Sequence, residues 1–237
     1  MTTNNAGRGA WGQADYTRDD ARACFLGVDL GQSKDYTALA MVQRVTRSVL
    51  HEDGTVRSDT VYHLRRLERV PLGTRYPAII RGVQQLMSTP PLSADSHLVV
   101  DKTGVGAAIL DMFKEAGMTA HAITIHGGDA VTREYLHDRV PKRDLVGTLL
   151  KLYQTHRLEV AQESPFVETL TQELVNFQIK INLATGHDSY EAWRESVHDD
   201  LVLAVAMAAW FAENEPAGLE PLDDDIVAAL RDSGRYW

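Results

Sequence analysis

The sequence lacks the features that mark secreted and membrane proteins. Its single cysteine, Cys24, cannot form an internal disulfide, and its apolar neighbours indicate a buried thiol rather than a redox centre. The longest apolar run, residues 201–212, is shorter than the roughly 20 residues that a membrane-spanning helix requires. No basic segment followed by an apolar one opens the chain. We therefore expect a cytoplasmic protein that does not bind a membrane.

The sequence is also short of positive charge. Its 24 Lys and Arg residues against 33 Asp and Glu give a formal net charge of −9. This balance argues against tight, unaided binding to nucleic acid, because such binding depends on neutralising phosphates. Acidic residues gathered in one site would repel DNA until divalent cations bind there. No G-x-x-x-x-G-K-[ST] motif occurs in the sequence, so we expect no nucleotide bound through a P-loop.

The composition that remains is that of an ordinary globular protein, with 44% apolar and 24% charged residues. Residues 1–22 are polar and lack apolar periodicity, which predicts a flexible N-terminal tail. Residues 23–212 are predicted to form one domain. Residues 213–237 begin with a run of acids, which predicts a solvated acidic tail with a possible short helix.

Alternating apolar runs and turns predict an α/β fold with a mixed five-stranded sheet. The predicted strands are residues 24–30, 37–45, 60–70, 97–100 and 119–125. The first three are expected to be antiparallel, and the last two to be parallel because helical segments separate them. Helices are expected to flank the sheet. The alternation at residues 177–183, followed by a turn, predicts a small C-terminal hairpin.

Four carboxylates lie at the edges of apolar elements, where acidic residues are unusual because an unpaired carboxylate is rarely buried. They are Asp29 in the first strand, Asp101 at the end of the fourth, and Asp199 and Asp200 at the start of the final helix. Each alone could cap a turn, a loop or a helix. If the fourth strand lies beside the first and the helix crosses them, these oxygens converge. Such a set would bind Mg²⁺ or Mn²⁺.

Three sequence motifs carry these acids. They are Gly27-Val28-Asp29-Leu30-Gly31, Asp101-Lys102-Thr103-Gly104-Val105-Gly106, and His198-Asp199-Asp200 before an alanine-rich helix. In this order and spacing they resemble the nuclease domain of the large terminase subunit of tailed bacteriophages. The resemblance covers about residues 24–212. It implies a ribonuclease H-like fold, related to that of Holliday-junction resolvases.

The resemblance also implies an activity and the residues that perform it. The chain would be a metal-dependent endonuclease that cuts concatemeric double-stranded viral DNA during packaging, using two Mg²⁺ or Mn²⁺ ions. Asp29, Asp101 and Asp200 would be the catalytic metal-binding triad, with Asp199 as a further metal ligand and His198 supporting the ligands. Many relatives carry another acid where this chain has Leu203, so the second ion would be held less well.

Phosphate contacts could come from three cations and a turn. Lys102, Lys142 and Arg143 are the candidate DNA-binding residues, although for Lys142 and Arg143 the sequence favours a solvated helix start. Backbone N–H groups of residues 103–106 lie at a helix N-terminus, which favours anions, or the turn could serve only strand–helix packing. The resemblance implies a separate terminase ATPase, small terminase subunit or portal as partners in the bacterial host cytoplasm. The acidic segment after Glu213 is a candidate docking element.

Three other functions stay open. A Holliday-junction-resolvase-like nuclease would share the fold and the metals. A non-catalytic packaging module would keep the fold without the activity. Leu203 and the negative net charge favour this alternative. A phosphotransferase of the actin and sugar-kinase type is disfavoured because the sequence has no second Asp-x-Gly hairpin.

Overall fold

The computed structural model describes residues 16–31, 35–50, 56–103, 107–161, 164–183 and 199–215. The strands in these ranges are β1 Tyr16–Asp29, β2 Thr37–Leu50, β3 Val56–Val70, β4 Ser96–Asp101, β5 Ala120–His126, β6 Thr132–Glu134, β7 His137–Pro141 and β8 Leu158–Val160. The helices are α1 Tyr76–Met87, α2 Ala107–Glu115, α3 Lys142–Gln154, α4 Val167–Leu183 and α5 Asp200–Asn214. None of these helices is long and apolar enough to cross a lipid bilayer.

The strands form one mixed sheet in the order β6-β7-β5-β4-β1-β2-β3-β8. β1, β2 and β3 pair antiparallel, whereas β1, β4, β5 and β7 pair parallel. The predicted α/β class, with three antiparallel strands followed by parallel ones, is confirmed, and this arrangement is consistent with a ribonuclease H-like fold. The sheet has eight strands rather than the predicted five. The added strands β6, β7 and β8 are too short to give a periodic signal.

Alternate residues of β1 point to opposite faces of the sheet, as the pleat requires. Phe25 joins the apolar cluster that contains α5 and the buried residues of α3, whereas Leu26 and Val28 join the cluster that contains α1 and α2. Both faces of the sheet are therefore covered. This explains why the central strands read as continuous apolar runs rather than as an alternation.

Helix α5 lies unusually close to β1. A Cβ atom added at Gly27 would lie 2.1 Å from the backbone oxygen of Ala204 and 3.2 Å from Cβ of Ala208. The missing side chain at Gly27 and the small ones on α5 therefore allow the helix to approach the strand. This contact fixes the first turn of α5 beside the C-terminal end of β1.

The predicted boundaries of the domain differ from the observed ones at both ends. β1 begins at Tyr16, whose backbone pairs with Leu50, so residues 16–22 belong to a long hairpin rather than to the tail. At the other end, Glu213 bonds Tyr62 and Arg157, and Glu215 also has ion-pair partners. Long-range pairing orders both polar segments, and local composition does not reveal it.

The predicted first strand of the C-terminal hairpin is wrong, because residues 177–183 are the last two turns of α4. A short apolar alternation does not distinguish a strand from a helix. Here the segment continues a helix that already presents buried Leu170 to the core, with no Gly or Pro between. The rest of the predicted hairpin, residues 184–193, lies outside the described ranges, as do residues 1–15 and 216–237.

Candidate active site

Two of the predicted acids end neighbouring parallel strands. In the register of β1 and β4, Val28 lies opposite Val100, so Asp29 and Asp101 follow at the same edge of the sheet. Asp101 is buried, and its Oδ1 accepts a hydrogen bond from the backbone N–H of Thr103 at 2.6 Å. Asp101 therefore does serve the following loop, as its purely structural interpretation predicts, while also facing this edge.

The third acid, Asp200, opens α5 and is held by an arginine from β3. Nε and Nη2 of Arg69 donate to the two carboxylate oxygens of Asp200 at 2.7 and 3.0 Å. Nη2 of Arg69 also donates to Oε1 of Glu173 on α4. The other oxygen of Glu173 accepts from the backbone N–H of Val202 at 3.0 Å. One guanidinium thus joins two buried carboxylates from two helices.

Asp199 has a different partner. It stands at the N-cap position of α5, but its side chain forms no cap hydrogen bond. Instead, its Oδ2 accepts from Nζ of Lys142, the first residue of α3, at 2.5 Å. This ion pair brings the start of α3 to the same edge of the sheet.

The electrostatics of the site are dominated by buried negative charge. Burial, followed by repulsion from Asp101, Asp199 and Asp200, raises the pKa of Asp29 well above its usual value. Burial also raises the pKa of Asp101 to about 6, against the opposing hydrogen bonds from Thr103. The carboxylates of Asp101, Asp199 and Asp200 therefore lie close enough to Asp29 to influence its pKa, and burial disfavours the ionised forms of Asp29 and Asp101.

Glu173 shows the same effect. Burial is the main cause that raises its pKa to about 7, and the charge of Asp200 adds to it. The hydrogen bond from Val202 and the charge of Arg69 oppose this rise. A fifth carboxylate is therefore part of the acidic site.

The donor set suits a hard divalent cation, because it consists of carboxylate oxygens without a thiol or an imidazole. The described part of the chain nevertheless contains no group of three or more His, Cys, Asp or Glu side chains arranged around one metal position. Asp199 and Asp200 face Lys142 and Arg69 instead. A cation at this edge would therefore compete with two ion pairs that the chain itself provides.

The remaining predicted residues divide into three groups. Lys142 lies at the site, whereas Arg143 pairs with exposed Asp129 and no described contact joins the Lys102 side chain to the acids. Leu203 is buried in the core beside the sheet and offers no ligand. His198 and residues 104–106 of the predicted phosphate-binding turn lie outside the described ranges.

Sequence reasoning missed Arg69 and Glu173. Glu173 had a detectable signal, since an acid between Leu170 and Leu174 interrupts the apolar face of a helix. Arg69 had none, because it ends a strand that also carries exposed Arg65 and Arg66. Its pairing across 131 and 104 residues of chain depends on the tertiary fold.

Among solved structures, the fold is similar to those of terminase proteins. The nuclease domain of the human cytomegalovirus terminase is 13% identical, with a TM-score of 0.44, and the match covers 84% of this chain and 86% of that one. A manganese-soaked form of the same domain is 12% identical, with a TM-score of 0.39 and coverage of 80% and 83%.

The large terminase of bacteriophage HK97 is 14% identical, with a TM-score of 0.43. The match covers 80% of this chain and 39% of the HK97 protein. No protein-family model and no curated protein sequence matches the chain. All three are structures of terminase proteins, and at these identities and TM-scores the likeness concerns the fold alone.

Proposed function

We propose that the chain is a divalent-metal-dependent endonuclease of the terminase type that hydrolyses phosphodiester bonds of double-stranded DNA. One observation carries the proposal. Burial first, and then repulsion from Asp101, Asp199 and Asp200 on a neighbouring strand and a crossing helix, raises the pKa of Asp29. Strong perturbation by burial and by neighbouring like charges is typical of functional sites.

In this proposal, Asp29, Asp101 and Asp200 hold the cation, and Asp199 is an additional ligand. Bound Mg²⁺ or Mn²⁺ would supply an activated water and stabilise the charge that develops on the leaving oxygen. Arg69 orients Asp200 through both of its oxygens. Lys142, whose charge now faces Asp199, would turn to a phosphate oxygen of the substrate.

The number of ions is part of the proposal. The side chain of Leu203 is apolar and packs in the core, so the chain has no carboxylate at the position where many relatives carry one. Glu173 lies near the same turn of α5, because it accepts from the N–H of Val202. We therefore expect one ion to bind more tightly than the second.

A non-catalytic packaging module is the second candidate. It is favoured by the ion pairs of Asp199 with Lys142 and of Asp200 with Arg69, because paired carboxylates are poorer metal ligands. In that case the acids and cations would only stabilise the junction of α3, α4 and α5. The two functions differ in whether a cation displaces these pairs.

Incubation of supercoiled plasmid with the protein and Mg²⁺ or Mn²⁺ tests the proposal. The wild type should nick or linearise the plasmid, and Asp29→Asn and Asp200→Asn should lower the rate at least a hundredfold. Asp111→Asn is the matched control, because Asp111 is an exposed acid on α2. Equal cleavage by all four proteins would contradict the proposal. No cleavage by the folded wild type would favour the non-catalytic module.

A packaging role belongs to the same proposal. The sequence has no P-loop motif, so ATP-driven DNA movement would require an ATPase outside these 237 residues, such as a separate terminase ATPase, with the small terminase subunit or the portal as further partners. A four-way junction offered beside linear duplex separates this role from that of a resolvase. Preferential cutting of the junction would favour the resolvase.

A further inference from the structure

A polar groove runs along α3, away from the acidic site. Its volume is about 730 Å³, and it is open to solvent. Three cations from two elements line it, Arg133 on β6 and Arg143 and Lys151 on α3, together with Asp144. Among the described residues, Asp144 is the acid that lines it, and Arg143 lies 3.5 Å from Asp144 and also pairs with Asp129 at 2.5 Å.

The floor of the groove holds one cation in place. The guanidinium of Arg133 lies 5.3 Å from the centre of the Trp210 ring, and its Nη1 donates to the backbone oxygen of Asn214 at 2.9 Å. Trp210 is buried. Arg133 is thus fixed by stacking and by a neutral acceptor, and neither contact cancels its charge.

The groove shares helix α3 with the candidate active site but lies on another side of it, because about 2.5 turns separate Lys142 from Lys151. Lys142, which contacts Asp199, is the first residue of α3, and Arg143 and Lys151 follow on the same helix. A rise of 1.5 Å per residue places Lys151 roughly 13 Å beyond Lys142 along the helix axis. That length corresponds to about four base pairs of duplex.

We propose that this groove binds the sugar–phosphate backbone of duplex DNA as a second contact surface, apart from the acidic site. The inference rests on the proposed nuclease function, because it concerns the same substrate. Small-molecule sites are enclosed and mostly apolar, whereas this groove is open and cationic. An extended polyanion fits it, because its cations come from both β6 and α3.

Binding of a labelled 20-base-pair duplex, followed by fluorescence anisotropy in EDTA, tests this inference separately from cleavage. The test variant combines Arg133→Gln, Arg143→Gln and Lys151→Gln. The control variant combines Arg57→Gln, Arg81→Gln and Lys114→Gln, which removes the same charge from exposed positions, two of them on α1 and α2. These two helices pack on the opposite face of the sheet.

The groove variant should bind duplex at least tenfold more weakly than the control variant. A plot of the logarithm of its association constant against the logarithm of salt concentration should have a slope smaller in magnitude by about two to three than that of the wild type. Each lost phosphate contact reduces this magnitude by about 0.9. Equal weakening of both variants, or no duplex binding by the wild type, would overturn the inference. So would tighter binding of polyglutamate than of DNA by the wild type.

Cleavage assays keep the two proposals apart. If duplex binding depends on the groove but no metal-dependent cleavage occurs, the nuclease proposal is contradicted and the groove proposal is supported. If metal-dependent cleavage occurs but both variants bind duplex equally well, the groove proposal is contradicted and the nuclease proposal is supported. Circular dichroism of each variant confirms that the substitutions leave the fold intact.

Discussion

Acidic side chains lie at both ends of helix α5, and the two ends differ in how far neighbouring cations compensate that charge. At the first turn, beside the C-terminal ends of β1 and β4, burial and mutual repulsion raise the pKa values of Asp29 and Asp101. At the last turn, Glu215 pairs with His97 at 2.8 Å and with Arg44 at 3.0 Å. Although burial works to raise the pKa of Glu215, the contacts with His97 and Arg44 lower it.

Aromatic packing reinforces the difference. The ring of His97 stacks on Phe25 with centroids 5.1 Å apart, and the rings of His97 and His121 lie against Phe211 at 5.6 and 4.4 Å. His121 in turn bonds buried Asp138 at 3.0 Å. The last turn is therefore a compensated, structural cluster. Beside the first turn, the ionised carboxylates of Asp29 and Asp101 cost stability, which is typical of functional sites.

The largest predicted effect concerns the arginine that compensates the first turn. Arg69→Gln leaves Asp200 and Glu173 buried without their shared cation, so the free energy of unfolding should fall by about 3–5 kcal/mol. Arg44→Gln at the other end removes a more exposed cation and should cost only about 1 kcal/mol. Urea unfolding measures both. Equal losses would remove the contrast between the ends.

The next effect concerns the point where α5 crosses β1, between the two ends. Gly27→Ala places a methyl group against the backbone of Ala204, so it should destabilise the fold by about 1–3 kcal/mol. Gly82→Ala is the control, because Gly82 lies in α1 with open space around it. That change should stabilise the protein by about 0.5–1 kcal/mol. If Gly27→Ala were also stabilising, the close approach of α5 would be wrong.

Neutralising one acid at each end should change stability in opposite directions. Asp101→Asn removes a charge that the fold disfavours, so thermal unfolding at pH 8 should shift upward, by the equivalent of about 1–2 kcal/mol. Glu215→Gln removes a favourable charge and should shift it downward, by about 1 kcal/mol. Both shifts would be measured without metal. A downward shift for Asp101→Asn in a folded protein would contradict the proposed electrostatics.

The pH dependence of stability tests the same difference between the two ends of α5, and the expected effect is smaller. An acid whose folded pKa is raised binds a proton that the unfolded chain has lost, so its contribution to stability falls as pH rises. For Asp101 and Glu173, whose pKa values are about 6 and 7, the loss falls between about pH 4 and pH 8. Burial lowers the pKa of His121, which gives the opposite slope at acidic pH. Subtracting the stability–pH profile of Glu173→Gln from that of the wild type isolates the contribution of Glu173.

The sequence predicted the part of the fold that depends on local periodicity. Helices flank the sheet as expected, and β4 lies beside β1, the arrangement on which the convergence of the acids depends. Strands β6 and β7 form a local hairpin whose apolar pattern is too short to be recognised, and β8 could not be placed because it pairs with distant β3. The early start of β1 at Tyr16 has the same cause, since its partner Leu50 lies across the hairpin.

The candidate site divides in the same way. The acids could be found from the sequence, because a carboxylate at the edge of an apolar run is conspicuous. Their partners could not, because Arg69 meets Asp200 across 131 residues and Lys142 meets Asp199 across 57. Local sequence therefore gives the ligands of a possible metal, whereas the tertiary fold decides which of them are already paired.

The central claim is that the acids at the first turn of α5 hold a divalent cation. Titration calorimetry with Mn²⁺ at pH 7.5 tests it directly, in the wild type, Asp29→Asn and the Asp111→Asn control. We predict saturable binding in the wild type and the control, and at least tenfold weaker binding in Asp29→Asn. Absence of saturable binding in the wild type, or equal affinity in all three proteins, would contradict the account.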